Sequence, residues 1–270
     1  MSNEIRPLIL VTNDDGVRSP GLLAAVRSVL DLGEVWVVAP RVQQSGSSRS
    51  FPVHKVQAEE TMFAVDGISV PAFAVDTSPA QTVRHGLLCF LPRRPDLAIA
   101  GINYGENIGG AVTVSGTVGA AIETASFGIP SLAASLETDR QYHFGQSTEV
   151  DFSTAAVFVR RLAQWMLAHS LPPGVDILKL DVPAEARPDT RWRITRVSRQ
   201  PYWVSPVMVD EQGHKHLHGY IRQIDPETLE PDSDVHAIAV EHVVSLTPLT
   251  IDLTANVNLK QLQDTLHGQL

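Results

Sequence analysis

Cysteine is almost missing from this 270-residue chain, where Cys89 stands alone. A single thiol excludes an intrachain disulfide framework, and its apolar setting, GLLCFL, points to core packing. Aromatic residues make up 6% and charged residues 19% against 43% hydrophobic, the ordinary balance of a folded globular chain. Positive charge is short as well: 21 Lys and Arg against 30 Asp and Glu leave a formal charge of −9. That balance argues against a basic face for a nucleic-acid duplex. It leaves room for a small phosphorylated ligand, because a metal ion or a ring of N–H groups reverses the field locally. No apolar run is long enough to span a bilayer, so no membrane partner is expected. The N-terminal MSNEIRPLILVTN is too short in apolar residues for a signal peptide, so a cytoplasmic protein is expected. Internal repeats and low-complexity linkers are absent too.

What is present is a rhythm of buried strands and amphipathic helices. Leu8 to Thr12 is a continuous β-rich run that stops at the turn formers Asn13-Asp14-Asp15-Gly16. Leu22 to Leu30 repeats its apolar residues at helical spacing, with Pro20 placed near the start, and Val35 to Ala39 is a second apolar strand. Strand, helix and strand over this span make a βαβ unit, hence a parallel sheet with a right-handed crossover. Met62 to Val65 and Ile68 to Val75, split by Asp66-Gly67, read as a hairpin. Helices are predicted at 80–91, 116–127 and 152–169, with strands at 97–102, 131–135 and 177–180. After about Pro183 the texture turns to short antiparallel strands, at 191–197, 202–209 and 214–221. One more strand is expected at 236–246 and a terminal helix at 258–266. The predicted fold is α/β, a Rossmann-like doubly wound, mostly parallel core over 1–183 with a β-rich extension over 184–270.

Ligands of open α/β sheets bind outside the carboxyl ends of the strands. Three such ends carry unusual residues: Asn13-Asp14-Asp15-Gly16, Gln44-Ser45-Gly46-Ser47 and the run from Gly101 to Asn107. Adjacent carboxylates at a strand end either raise one pKa or take a cation between them. With Ser and Asn oxygens nearby they form a set suited to a hard ion such as Mg²⁺ or Mn²⁺, and no His/Cys zinc spacing accompanies them. Alone, Asp14-Asp15-Gly16 reads equally well as a turn and helix cap. The other two loops turn the reading toward a metal. The run GINYGENIGG is followed by Ser115-Gly116-Thr117 at a helix start, where backbone N–H groups and the helix end favour an anion. It lacks the Gly-Lys-Ser/Thr ending of a Walker A loop and the dinucleotide GxGxxG pattern.

The segments VTNDDGVRSPGL, QQSGSS, GINYGENIGG, VSGTVGAAIETASFGIPSLAASL and VSLTPLTIDLTA together resemble the SurE (survival protein) family over nearly the whole chain. The resemblance implies a Rossmann-like core and one divalent metal ion per subunit, most often Mg²⁺ or Mn²⁺. It also implies 5′-nucleotidase action on nucleoside monophosphates, and a homodimer or homotetramer that exchanges C-terminal segments. Motif by motif, it places the metal ligands on Asp14, Asp15, Ser45 and Asn103. Two departures stand out. Thr77-Ser78-Pro79-Ala80-Gln81-Thr82-Val83 replaces a Gly-Thr-Pro-Ala-Asp-Cys-Val pattern, and His216-Leu217-His218 stands where a Tyr-Trp-type pair is common. Alternation would put His214, His216 and His218 on one strand face, read here as a solvated hairpin.

The expected chemistry assigns Asp14 to the attacking water, and Asn107 with the N–H groups of Ser115, Gly116 and Thr117 to the phosphoryl oxygens. His236, in DSDVHAIAV, is the candidate leaving-group acid, with Asp232 four residues earlier placed to orient it, and it reads at least as well as a strand-end histidine in a structural hydrogen bond. Two other readings use the same residues. One is a broader phosphatase acting on 3′-nucleotides or polyphosphate, and the other a nucleotide-binding module without turnover.

Overall fold

Five residues in a row, Leu8–Thr12, are completely buried and form β1 at the middle of the sheet. In this computed structural model residues 6–267 are described. The N-terminal stretch read above for a signal peptide begins outside them. The chain continues through α1 (Pro20–Val29), β2 (Glu34–Pro40), β3 (Ala58–Val65), β4 (Ile68–Val75) and α2 (Pro79–His85). Then follow β5 (Leu97–Tyr104), α3 (Gly116–Ser126), β6 (Ser131–Leu136), α4 (Ser153–Ala168) and β7 (Ile177–Val182). The remainder holds β8 (Trp192–Ile194), β9 (Trp203–Val204), β10 (Val207–Val209), β11 (Lys215–Leu217) and β12 (Ile221–Arg222). It ends with α5 (Asp234–Ala239), β13 (Val244–Leu249) and α6 (Leu259–His267).

Nine strands make one sheet in the order β3-β4-β2-β1-β5-β6-β7-β13-β8. The six strands from β4 to β7 pair in parallel, whereas β3 and β13 join antiparallel to β4 and β7. Both faces are covered. Helices α1 and α4 pack together on one face over the largest core cluster, and α2 and α3 pack together on the other. This is the doubly wound α/β fold. The chain leaves β1 toward β2 on one side and returns as β5 on the other, so the crevice between the ends of β1 and β5 is the switch point.

Local chemistry fixes the helix starts. Pro20 opens α1, the Ser78 side chain accepts from the Gln81 N–H at 3.3 Å to cap α2, and Ser115 accepts from Val118 at 3.1 Å to cap α3. The Thr77 hydroxyl bonds Gln81 Oε1 at 2.5 Å, so the departure at residues 77–83 builds this helix start.

Three expectations need correction. Residues 236–246 are not a continuous strand: Ser233 caps a short helix by accepting from the His236 N–H at 3.1 Å, and the strand begins at Val244. Cys89 is exposed, because helix α2 ends at His85 in one wide turn, Gly86–Phe90, that carries Leu88 and Cys89 outward. The first of the short strands after residue 183 is not antiparallel: β8 pairs in parallel with β13, which itself joins the main sheet beside β7. Among the described residues only β9 to β12 form separate antiparallel pairs. His214, His216 and His218 lie on the exposed β10–β11 hairpin.

Candidate active site

Asn13 shapes the turn after β1 by bonding across it to Gly16: its side-chain oxygen accepts from the Gly16 N–H at 3.2 Å and its amide donates to the Gly16 carbonyl at 3.0 Å. The turn sends both Asp14 and Asp15 into the protein, where they are 3% and 1% exposed. Burial pushes each carboxyl above its ordinary pKa, and for Asp15 the neighbouring Asp14 charge pushes further. Their partners are neutral donors. Thr117 Oγ1 donates to Asp14 Oδ1 at 2.5 Å, Gln43 donates to Asp15 Oδ1 at 3.0 Å, and the Tyr104 N–H donates to Asp15 Oδ2 at 3.3 Å.

The second loop is stitched onto the first. Gln44 N–H donates to the Asp14 carbonyl at 2.7 Å, and Ser48 N–H to the Val114 carbonyl at 3.1 Å, which holds Ser45 at the cavity rim. Farther along, Arg49 and Arg84 clamp the fully buried Glu123 of α3 at 2.8 and 2.7 Å.

The third loop is aimed by an irregularity in β5. Its register with β6 shifts between Ala100 and Asn103. Gly101 sits there at φ +127°, where a Cβ would meet the Ala134 carbonyl oxygen at 2.2 Å, so only glycine fits. Asn103 emerges with its amide nitrogen pinned by the carbonyls of Tyr104 and Gly105 at 3.1 and 2.7 Å, which leaves its amide oxygen for another partner. Asn107 is held by its N–H to Asp181 Oδ1 at 2.8 Å and by its side-chain amide to Ser135 Oγ at 2.9 Å.

Asp14, Ser45, Asn103, Asn107 and Ser115 line one cavity of about 520 Å³, within the range of small-molecule sites. The three loops therefore meet at the switch point. The helix end behaves differently from its expected role. The Ser115 N–H is already used on the Ala111 carbonyl at 3.1 Å, and its Oγ caps Val118. The N–H groups of Gly116 and Thr117 favour the ionised form of Asp14. At Gly116 a Cβ would lie 2.7 Å from Asp14 Oδ2, so the missing side chain gives that carboxylate its room. The anion at the start of α3 is thus Asp14 itself.

His236 does not line the cavity. Its Nδ1 lies 3.3 Å from Glu241 Oε1, close enough to pair when protonated but not aligned as a hydrogen bond. Asp232 binds Arg196 at 2.8 Å instead of orienting His236. Sequence reasoning also passed over two groups. Glu106 lies at the cavity, buried, with Tyr202 Oη donating to it at 2.7 Å and Arg222 pairing at 2.8 Å. Burial raises its pKa to about 7 against the pull of Arg222. Beneath the loop, Lys179 bonds Asp181 at 2.5 Å and Asp234 at 3.2 Å, and all three side chains are fully buried. Charges two apart in the buried strand ILKLDV share a face, which was the available signal.

Fold and site define an α/β protein whose switch-point loops bring Asp14 and the neutral oxygens of Ser45 and Asn103 to one small-molecule cavity, while Asp15, buried next to Asp14 in the chain, is not part of its lining. The chain belongs to the SurE family: the family model "Survival protein SurE" matches residues 9–203. It is 42% identical over 265 residues to a protein of Thermococcus gammatolerans described as 5′-nucleotidase SurE, covering 97% of this chain and 96% of that one. A Thermococcus kodakarensis protein of the same description is 41% identical over 262 residues, covering 97% and 99%. The crystal structure of SurE protein from Aquifex aeolicus superposes with a TM-score of 0.76 at 28% identity, covering 98% of this chain and all of that one.

Proposed function

We propose that this chain is a divalent-metal-dependent 5′-nucleotidase that releases phosphate from nucleoside 5′-monophosphates. Its family and relatives support the activity. The observation that carries the metal assignment is the pair Asp14 and Asp15, buried side by side with no Lys, Arg or His paired to either among the described residues. Two such groups want a cation from outside the chain. The neutral oxygens of Ser45 and Asn103, which line the cavity with Asp14, complete a hard-ion set for Mg²⁺ or Mn²⁺.

A bound divalent ion would supply charge neutralisation at a phosphoryl oxygen. The protein's own groups do the rest. Thr117 fixes Asp14 through Oδ1, which leaves Oδ2 to orient the attacking water and accept its proton. The two bonds from the Asn103 amide nitrogen leave its amide oxygen as the atom that would hold the ion. Asn107 spends one side-chain N–H on Ser135 and offers the other to a phosphoryl oxygen.

The same proposal includes a homodimer or homotetramer with exchanged C-terminal segments. It is supported by α6, whose Leu259, Leu262 and Leu266 fall on one face and are 62%, 47% and 45% exposed. We place the enzyme in the cytoplasm, where the exposed Cys89 thiol stays reduced; among the described residues no helix is long and apolar enough to cross a membrane.

Phosphate release from 5′- and 3′-nucleotides and polyphosphate, with Mn²⁺, Mg²⁺ or excess EDTA, tests the reading. Metal-dependent release that favours 5′-monophosphates is expected. Preference for polyphosphate or 3′-nucleotides would move the assignment to the broader phosphatase. Tight nucleotide binding with no release would leave a binding module.

A further inference from the structure

Asp14 and Asn103 are held by bonds to their own side chains, but Ser45 stands at the tip of a loop. It is exposed at the cavity rim, and Gly46 after it has open space where a side chain would stand. A residue in that position stands where the flanks of its loop put it. The flank before it is the Gln44 N–H bond to the Asp14 carbonyl. The flank after it is built against α3. Ser48 donates its N–H to the Val114 carbonyl at 3.1 Å and its hydroxyl to the Thr113 carbonyl at 2.8 Å. Arg49 Nε then bonds Glu123 Oε2 at 2.8 Å, and the Ser50 carbonyl accepts from the Ser78 hydroxyl at 2.6 Å.

Two features of this flank are unfavourable in themselves, and the close seat on α3 accounts for both. Gly119 stands inside α3, where glycine weakens a helix relative to alanine. A Cβ there would lie 2.3 Å from the Ser48 carbonyl oxygen, so the bare backbone is what lets the loop lie on the helix. Ser48 itself is held at φ +52°, in the left-handed region that residues with a Cβ rarely take. Gly116, Gly119 and Glu123 are spaced to share one face of α3. That face meets Asp14 at Gly116, the Ser48 backbone at Gly119 and Arg49 at Glu123. One rigid helix thus aligns two of the ligand loops. Arg84 already takes the other oxygen of Glu123 at 2.7 Å, from α2. One arginine suffices to neutralise one buried carboxylate, so the added bond from Arg49 ties down the loop.

We propose that Arg49 is a positioning residue for the metal site: anchored on Glu123, it sets where Ser45 stands relative to Asp14. This rests on the reading of Asp14 and Ser45 as metal ligands and deepens it. Arg49 touches neither the ion nor the substrate and acts through the short backbone between residues 45 and 49. Groups that orient a metal ligand are worth about 10- to 100-fold in metal affinity. Arg84 pairs with the same carboxylate but comes from α2, which carries no ligand, so the two arginines form an internal comparison.

The test is calorimetric titration of Mn²⁺ into the full-length, metal-free protein, for wild type, Arg49→Met, Arg49→Lys, Arg84→Met and Gly119→Ala. Urea unfolding in EDTA checks that each variant is folded. Arg49→Met should weaken Mn²⁺ binding about 10- to 100-fold. Arg49→Lys keeps the charge and should lie between Arg49→Met and wild type. Gly119→Ala moves the Ser48 backbone without touching a charge, and should weaken Mn²⁺ as Arg49→Met does. Arg84→Met orients no ligand and should bind Mn²⁺ within about 2-fold of wild type. Wild-type affinity in Arg49→Met would overturn the proposal. So would an equal loss in Arg84→Met, which would make the pair a general support of the fold. If Arg49→Met does not fold, Gly119→Ala decides, and wild-type Mn²⁺ affinity there sinks the idea. A wild type that binds no Mn²⁺ brings down the metal reading and this proposal together. Mn²⁺ binding without phosphate release brings down only the nucleotidase reading, and the comparison of the two arginines still stands.

Discussion

The protein buries two pairs of carboxylates near the same loop and neutralises them in opposite ways. Asp181 and Asp234 share Lys179, which bonds them at 2.5 and 3.2 Å, with all three side chains fully buried. Burial works against the charge on Lys179, but the two aspartates overcome it and its pKa is raised. Asp14 and Asp15 are buried almost as deeply and receive only neutral donors. One pair is closed by the chain's own cation and serves structure. Asp181 takes the Asn107 N–H at 2.8 Å, and Asp234 takes the N–H groups of Gly109 and Ser198 at 3.2 and 2.9 Å, so the cluster ties the glycine-rich loop to the C-terminal arm. The other pair is left open, which costs stability unless a cation arrives. The contrast teaches that burial of acid groups alone does not mark a reactive site, whereas burial without an internal counter-charge does.

The comparison breaks most visibly at Lys179. Lys179→Met strands two carboxylates in the core and should destabilise the protein by about 3–5 kcal/mol in urea unfolding. A loss below about 1 kcal/mol would mean that the cluster is not the structural member of the pair. The opposite outcome is expected for Asp14→Asn. Without metal its stability should be unchanged or higher, because a buried like charge is gone, while turnover falls about 10²- to 10³-fold. If metal-free Asp14→Asn instead unfolds as readily as Lys179→Met, the two pairs do the same job and the site assignment fails.

Glu106 sharpens the contrast because it lies between the extremes, buried like all four aspartates but half-compensated by Arg222 at 2.8 Å. Its pKa stands at about 7 in the fold against an ordinary 4.5. Between those values the folded protein holds a proton that the unfolded chain has released. The stability it contributes is therefore full below pH 4.5 and is lost as pH rises through about 7. The upper bound of that loss is ~3 kcal/mol, at 1.36 kcal/mol per pKa unit. Glu106→Gln does not titrate, so in EDTA its unfolding free energy should change less than wild type between pH 5 and pH 8. Parallel curves would show that Arg222 holds Glu106 ionised throughout.

Much of this was legible in the sequence where a segment's own residues decide its structure. Leu8–Thr12, the Asn13 turn and the Pro20 helix start all read correctly, because turn chemistry and buried β-runs act over a few residues. The strand-end rule also brought the three loops to one edge before any coordinates. What stayed hidden depends on distant partners. Glu106 gains its place only from Tyr202 and Arg222, about a hundred residues on, and Trp203 meets His143 only when the arm folds back. The fates of the helix-end amides were hidden too, since a free N–H and one committed to Asp14 look alike in sequence.

His236 is the case where a local pattern and the fold point different ways, and it yields the smallest expected effect. The stretch DSDVHAIAV offered a histidine four residues from an acid, which is what a leaving-group acid looks like on paper. In the fold Ser233 starts a helix there, which turns the ring toward Glu241 at 3.3 Å and away from the cavity. Glu241 does not depend on it, because Arg193 binds the same carboxylate at 2.6 Å. His236→Ala should therefore keep turnover within about 3-fold, leave the shape of the pH–rate profile unchanged and cost no more than ~1 kcal/mol of stability. A general acid cannot be removed so quietly, since its loss costs about 10²-fold or more and takes one limb of the profile with it. If that limb disappears in His236→Ala, the ring reaches the substrate in the working enzyme. The helix that turns it away would then have to move during the reaction cycle.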